Sequence, residues 1–237
     1  MTPAADTAII ALPPLFDALA ISVGALTGAL YATRKNFDVI GTLAIAFASG
    51  LGGGAIRDIV LQFGTPAFLS NPFFLGYAAL GSVIGFLFAR WARDWDFAYN
   101  ALDVATLGVW VLIGCQKALS LGLPTISVVF VGVLASVGGG LLMNLLCGEV
   151  PTSFQPGHWY AFAALLASIT FVVLAGAGAP QYVSEAGTLV VAAFLRWAAL
   201  TWDIRTPAPM DLSDVVRQRW RRLRPAATGP AAGDRTD

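Results

Sequence analysis

Long apolar runs alternate with short polar breaks along this chain. Seven runs stand near residues 13–33, 37–62, 70–91, 99–120, 124–147, 158–178 and 183–203. A bilayer core about 30 Å thick takes roughly 20 apolar residues of helix. Each run meets that length, so the pattern predicts an all-α integral membrane protein with seven transmembrane helices. Turn formers mark the breaks: Lys35-Asn36, Gly64-Thr65-Pro66, Asn71-Pro72, Gly122-Leu123-Pro124, Pro156-Gly157 and Gly178-Ala179-Pro180. Near residue 206 the pattern changes. Pro207 and Pro209 end the last run, a basic segment V-V-R-Q-R-W-R-R-L-R follows at 215–224, and residues 225–237 have the composition of a disordered end.

The runs repeat. Residues 15–66 resemble residues 100–151 at an offset of 86. Asp17 falls on Asp103, Gly28 on Gly114, and Ala32 on Ala118. The triplet Gly52, Gly53, Gly54 falls on Gly138, Gly139, Gly140. Each copy holds three spans, an odd number, so the second copy enters the membrane from the opposite side. The expected organisation is an N-terminus at 1–12, a first three-helix repeat at 13–98, an inverted second repeat at 99–180, a seventh helix at 181–205 and a tail at 206–237. Inverted repeats are common in transporters, with the working site near the membrane centre at interrupted helices.

The glycine triplets are the expected interruptions. Both lie just past the middle of their spans, and glycine costs about 1 kcal/mol per residue in a helix. A broken second and fifth span would turn carbonyls toward a wet cavity, the one setting in which open backbone is tolerated at that depth. Close helix packing is the competing reading, because glycine also lets two backbones approach.

Composition agrees with a membrane setting. The chain is 57% hydrophobic and 12% charged, with mean hydropathy +0.73; soluble domains carry about 25% charged residues. Nucleic acid is not an expected partner, since no basic patch interleaved with aromatics runs along the body. The first run has no Lys or Arg ahead of it, so it reads as a retained span rather than a secretory leader. Arg34 and Lys35, Arg90 and Arg93, and the tail arginines follow alternate spans. That bias puts the N-terminus outside and the C-terminus in the cytoplasm. The basic tail reads equally as a topology anchor or as a segment lying on anionic lipid.

A few charges remain inside the runs. Arg57 and Asp58 follow the first triplet, and an intramembrane Arg or Asp is by default a functional candidate. As neighbours they point about 100° apart on a helix, a poor geometry for pairing with each other. The repeat puts Met143 and Asn144 at their positions. Lys117 either snorkels to the surface or reaches the cavity or a partner helix. Asp17 and Asp103 would anchor matched early turns. Arg196 faces protein or snorkels, Glu149 is an ordinary loop carboxylate, and His158 is a boundary residue. Cys115 and Cys147 read as inert buried thiols. With no catalytic constellation, metal cluster or phosphate loop, the chain is not expected to be an enzyme or to hold a cofactor.

Five stretches are similar to one family, the last of them L-R-W-A-A-L-T-W at 195–202, which matches the family's last span; the other four come earlier. A-L-Y-A-T-R-K-N-F-D-V-I-G, G-G-G-A-I-R-D-I-V-L, D-V-A-T-L-G-V-W-V-L-I-G-C-Q-K-A-L and G-G-G-L-L-M-N-L-L-C-G-E-V-P resemble the TRIC (trimeric intracellular cation) channels and their bacterial relatives, over about residues 13–205. The resemblance implies a homotrimer with one pore per subunit and passive conduction of monovalent cations, chiefly K⁺, with Na⁺ also permeant. It implies bends at the two triplets, Arg57 beside the pore, and a Lys117 matching a basic residue tied to lipid binding in eukaryotic members. Bacterial relatives often repeat R-D in the second copy, and Met143-Asn144 departs from that. Two other readings stay open. One is a facilitator for a small neutral or zwitterionic solute such as glycine. The other is a non-transporting membrane partner with a dry centre.

Overall fold

The computed structural model describes residues 14–62, 64–89, 96–155, 157 and 159–205. The N-terminal segment, Arg90, Arg93, His158 and the basic tail lie outside the described residues. Eight α-helices occupy the described part: α1 Pro14–Arg34, α2 Val39–Leu61, α3 Ala67–Ser70, α4 Pro72–Phe88, α5 Asp96–Ser120, α6 Thr125–Leu146, α7 Ala161–Gly176 and α8 Gln181–Thr201. Five of them, α1, α2, α5, α6 and α8, are long and apolar enough to cross a membrane. The apolar α4 and α7 have 17 and 16 residues. At about 1.5 Å per residue each is some 25 Å long, a little under the full hydrocarbon thickness.

Local chemistry sets the helix ends. Asp38 caps α2, its carboxylate accepting from the Gly41 amide at 2.7 Å. Asn71 caps α4 in the same way through the Phe73 amide at 3.1 Å, with Pro72 at the first helical position. That cap separates the short α3, in the link between the second and third runs, from α4: α3 ends where Asn71 takes extended backbone, and α4 starts afresh. Two tight links need glycine. Gly122 (φ 67) joins α5 to α6, and Gly178 (φ 75) joins α7 to α8, both in left-handed backbone.

Neither triplet breaks its helix. α2 runs without interruption through Gly52, Gly53 and Gly54, and α6 through Gly138, Gly139 and Gly140. This corrects the expectation of a broken second and fifth span. In hydrocarbon an amide released from its helical bond has no replacement partner, so the ladder is kept. The missing side chains serve packing instead. A Cβ on Gly53 would collide with the carbonyl oxygen of Ala135, and one on Gly139 with that of Ser49. At Gly138 it would lie 3.1 Å from Gly53 Cα. The α2 and α6 backbones therefore touch at these glycines.

The packing is reciprocal. Gly53 against Ala135 and Gly139 against Ser49 are one contact written twice at the offset of 86. The α1–α2 and α5–α6 contacts match too. A Cβ on Gly28 would sit 2.9 Å from Ala46 Cα, and one on Gly114 3.0 Å from Gly132 Cα. Ser82 and Ser168, both fully buried, each donate to the carbonyl four residues earlier, Ala78 at 2.6 Å and Ala164 at 2.8 Å. α1 packs on α2 and α4, α5 on α6 and α7, and α2 on α6, while α8 lies against α7 and α5. One apolar core gathers around Leu107, Val111, Leu112 and Phe171, and a second around Ile21, Leu51, Trp110 and Ile113.

At one end of the bundle Glu149, just after α6, accepts from the Tyr31 hydroxyl and pairs with Lys35. It thus ties the end of α1 to the end of α6, more than an ordinary loop carboxylate does. The Lys35 ammonium and then the Tyr31 hydroxyl hold the Glu149 carboxyl below the usual glutamate range.

Two measurements test this packing. Gly53→Ala and Gly139→Ala should each lower stability by about 1–3 kcal/mol, as overpacking does. Gly140→Ala, where a Cβ meets nothing within 4 Å, should be neutral or slightly stabilising. Thermal melting in detergent reads both, and equal effects at all three positions would overturn the packing role. Glu149 has its folded pKa depressed, so its contribution is present above the unfolded glutamate value of about 4.3 and is lost as pH falls through the lower folded value. Wild-type melting temperature should therefore fall on acidification through that range, and Glu149→Gln should flatten the fall.

Candidate pore

Asp58 organises the charged residues. It sits in the last turn of α2, 1% exposed. Its Oδ1 accepts from Arg57 Nε at 2.8 Å and from Lys117 Nζ at 2.7 Å. Its Oδ2 accepts the Ala67 amide at the start of α3, at 3.0 Å. One carboxylate thus binds two cations and a helix end, joining α2, α3 and α5. Arg57 and Asp58 do pair, contrary to the expectation from their angular separation. The Cβ directions diverge, but the Arg57 side chain is long enough to turn back along the helix. Lys117 reaches inward to Asp58 rather than snorkelling, and its side chain stays one-fifth exposed.

These groups line a cavity of about 170 Å³. Asp17 joins Arg57, Asp58 and Lys117 there, so two cations face two carboxylates. Gly54, Phe68 and Trp110 complete much of the apolar wall. The cavity lies where α1 begins and where α2 and α5 end.

A second cavity of about 60 Å³ lies along the same helices in the opposite direction. Asp103, Thr106, Ser136 and Tyr160 give it a polar lining, and Gly53, Gly139 and Gly140 border it with bare backbone. Asp103 is held by Arg196 of α8, whose Nη2 and Nε donate to its Oδ2 at 2.9 and 3.1 Å. The Arg196 guanidinium also lies 4.9 Å from the centre of the Tyr160 ring. Arg196 therefore faces protein, and Asp103 anchors α5 to α8.

The sequence-derived candidates divide accordingly. Arg57, Asp58 and Lys117 come together. Gly54 faces the first cavity, while Gly53, Gly139 and Gly140 face the second. Gly52 and Gly138 are spent on the α2–α6 crossing, against Leu142 and against Gly53 with Ile56. Asn144 is buried and joins neither cavity wall, whereas its neighbour Met143 lines the second. Cys115 is buried and Cys147 partly so, both with free thiols. Trp110, Thr106 and Tyr160 were not singled out from the sequence. Trp110 had one usable signal: it stands opposite Gly24 at the offset of 86, the largest side chain matched with the smallest.

Comparison with known proteins supplies the family. A family model described as Glycine transporter matches twice, over residues 14–90 and 100–176. A UPF0126 membrane protein of Deinococcus radiodurans is 32% identical over 192 residues, which cover 81% of this chain and 89% of that protein. A structure solved to explain conductance through TRIC cation channels superposes with a TM-score of 0.78 at 27% identity, covering 84% of this chain and 98% of its own. The TRIC trimeric intracellular cation channel orthologue from Rhodobacter sphaeroides superposes with a TM-score of 0.75 at 30% identity, covering 81% and 98%. With several helices fit to cross a membrane and membrane proteins as its relatives, the chain is a multi-pass integral membrane protein, and it belongs to the bacterial TRIC family.

Proposed function

We propose that this protein is a passive, K⁺-permeable cation channel that works as a homotrimer, with one pore inside each subunit. One observation carries the reading. Two cavities with charged or polar side chains in their walls lie end to end along α1, α2 and α5, in a fold held in common with solved TRIC cation channels. In this reading all helices but α3 span the bilayer, the N-terminus is outside and the C-terminus cytoplasmic. The two three-helix halves form an inverted repeat. The double match of the family model and the reciprocal glycine contacts support that symmetry. The trimer rests on the relative from Rhodobacter sphaeroides being described as trimeric. K⁺ or Na⁺ enters only as the permeant ion, anionic lipid is the partner of the basic tail, and no catalysis is involved.

The charges set the conduction. In the first cavity Asp58 and Asp17 balance Arg57 and Lys117. In the second Asp103 is balanced by Arg196. A passing cation therefore meets compensated mouths rather than a strong field of either sign. Arg57 is the term most exposed to test. At about 6 Å and an effective dielectric near 20, one unpaired cation would cost a passing K⁺ about 3 kcal/mol, and Asp58 offsets much of that.

The experiment is K⁺ flux in proteoliposomes under a K⁺ gradient. Wild type should conduct, and a protein that passes neither K⁺ nor Na⁺ would sink the channel reading. Arg57→Gln should raise K⁺ conductance by up to about tenfold with the trimer intact; unchanged flux would remove Arg57 from the pore. Asp58→Asn leaves buried Arg57 and part-buried Lys117 without the carboxylate they share. It should lower both flux and stability, the latter by about 3–5 kcal/mol.

A second reading is favoured by one observation. The matching family model is described as Glycine transporter, and Arg57 in the first cavity has a buried Nη1 without a hydrogen-bond partner. A guanidinium of that kind suits a carboxylate. Labelled glycine uptake without ion current, abolished by Arg57→Gln, would decide for it.

A further inference from the structure

We infer that Trp110 is the partition between the two cavities and, resting on the pore reading above, the constriction that limits conduction through the subunit. The lining registers carry the argument. On α1 the first cavity takes Asp17 and Ile21, and the second takes Gly24 and Thr27. On α5 the first takes Ile113 and Lys117, and the second takes Asp103 and Thr106. On α2 the two linings interleave, Ser49 and Gly53 facing the second cavity and Leu51, Gly54, Arg57 and Asp58 the first, so the cavities meet at the level of Leu51 to Gly54. At that level Trp110 borders both cavities, the one residue they share among the described residues.

The ring narrows the path at this level. Trp110 is 8% exposed. A Cβ on Gly54 would lie 3.6 Å from its Cζ3 and 3.8 Å from its Cη2, ordinary contact distances, so the indole edge faces α2 about one methyl group away from the bare backbone. Polar groups line the space on either side, but the ring itself is apolar. Such a constriction holds water and ions back by dewetting, without a charge. The offset of 86 puts Gly24 opposite it. A second indole is thus missing from the matched place, and one ring closes the path for both halves. Lined residues from Asp103 to Lys117 span about 20 Å of helix rise, so a single layer separates two cavities that each hold charged or polar side chains.

Thiol labelling tests the partition apart from any permeant species. The background is the full chain with Cys115→Ala, Cys147→Ala and Ile113→Cys, reconstituted in both orientations. A membrane-impermeant charged methanethiosulfonate is added outside the vesicles. With Trp110 present it should modify only the molecules whose first cavity faces out, about half of them. With Trp110→Ala it should modify nearly all. K⁺ efflux should rise at least fivefold in Trp110→Ala and less in Trp110→Phe. If Trp110→Ala does not elute as the wild-type oligomer, Trp110→Leu takes the same test. Labelling that stays at half in the variant overturns the partition. Complete labelling without K⁺ or Na⁺ flux in any variant keeps the partition and overturns the channel.

Discussion

The close crossing of α2 and α6 at Gly53 and Gly139 is the contact on which the rest of the architecture depends. Backbone meets backbone there, with the Ala135 and Ser49 carbonyls in the places that side chains would occupy. No larger residue allows that approach. The crossing leaves Gly54 facing the edge of the Trp110 ring and Gly140 open toward the second cavity. In water such a run of glycines would weaken a helix. In lipid the backbone hydrogen bonds have no competitor, so the helices stay whole and the glycines become a contact surface.

Charge is handled locally at each end. Near the start of α1 and the end of α2, Asp58 accepts from Arg57, Lys117 and the α3 amide. Near the start of α5, Asp103 binds Arg196. Where α1 and α6 end, Glu149 gathers Tyr31 and Lys35. Tyr31 and Lys117 are matched positions, and both reach across to a carboxylate. The carboxylates are not matched. Asn144 stands where Asp58 would, and the acid comes instead from Glu149, five residues further along. The repeat thus keeps the bridging element and relocates its partner.

Much of the scaffold was legible because hydropathy and turn formers act locally. The runs coincide with helices within a few residues, and Asn71-Pro72, a cap followed by a first-turn proline, already marked the split between α3 and α4. The glycine triplets were misread for a physical reason. A sequence displays the cost of glycine but not what faces it, and the Gly53 contact lies on a helix more than eighty residues away. Arg57 and Asp58 were misjudged because the angle between Cβ atoms does not measure the reach of an arginine. Trp110 was passed over because one aromatic in an apolar span resembles any core residue. Its place between two cavities exists only once three helices are assembled.

The unequal distribution of matches bears on mechanism. Positions that hold helices together are duplicated: Gly28 with Gly114, Gly53 with Gly139, Ser82 with Ser168. Positions that meet the cavities are kept only in part: Asp17 with Asp103 and Gly54 with Gly140 are duplicated, whereas Arg57 stands against Met143, Asp58 against Asn144 and Gly24 against Trp110. A transporter that alternates by exchanging the conformations of two inverted halves needs those halves to be near equivalents. This chain keeps the equivalence in its packing and in part of its lining, and gives it up at Arg57, Asp58 and Trp110. A passive pore has no such requirement. It needs a stable frame around a path whose two mouths can differ. The asymmetry at Arg57, Asp58 and Trp110 thus sits more readily with the proposed conduction than with alternation.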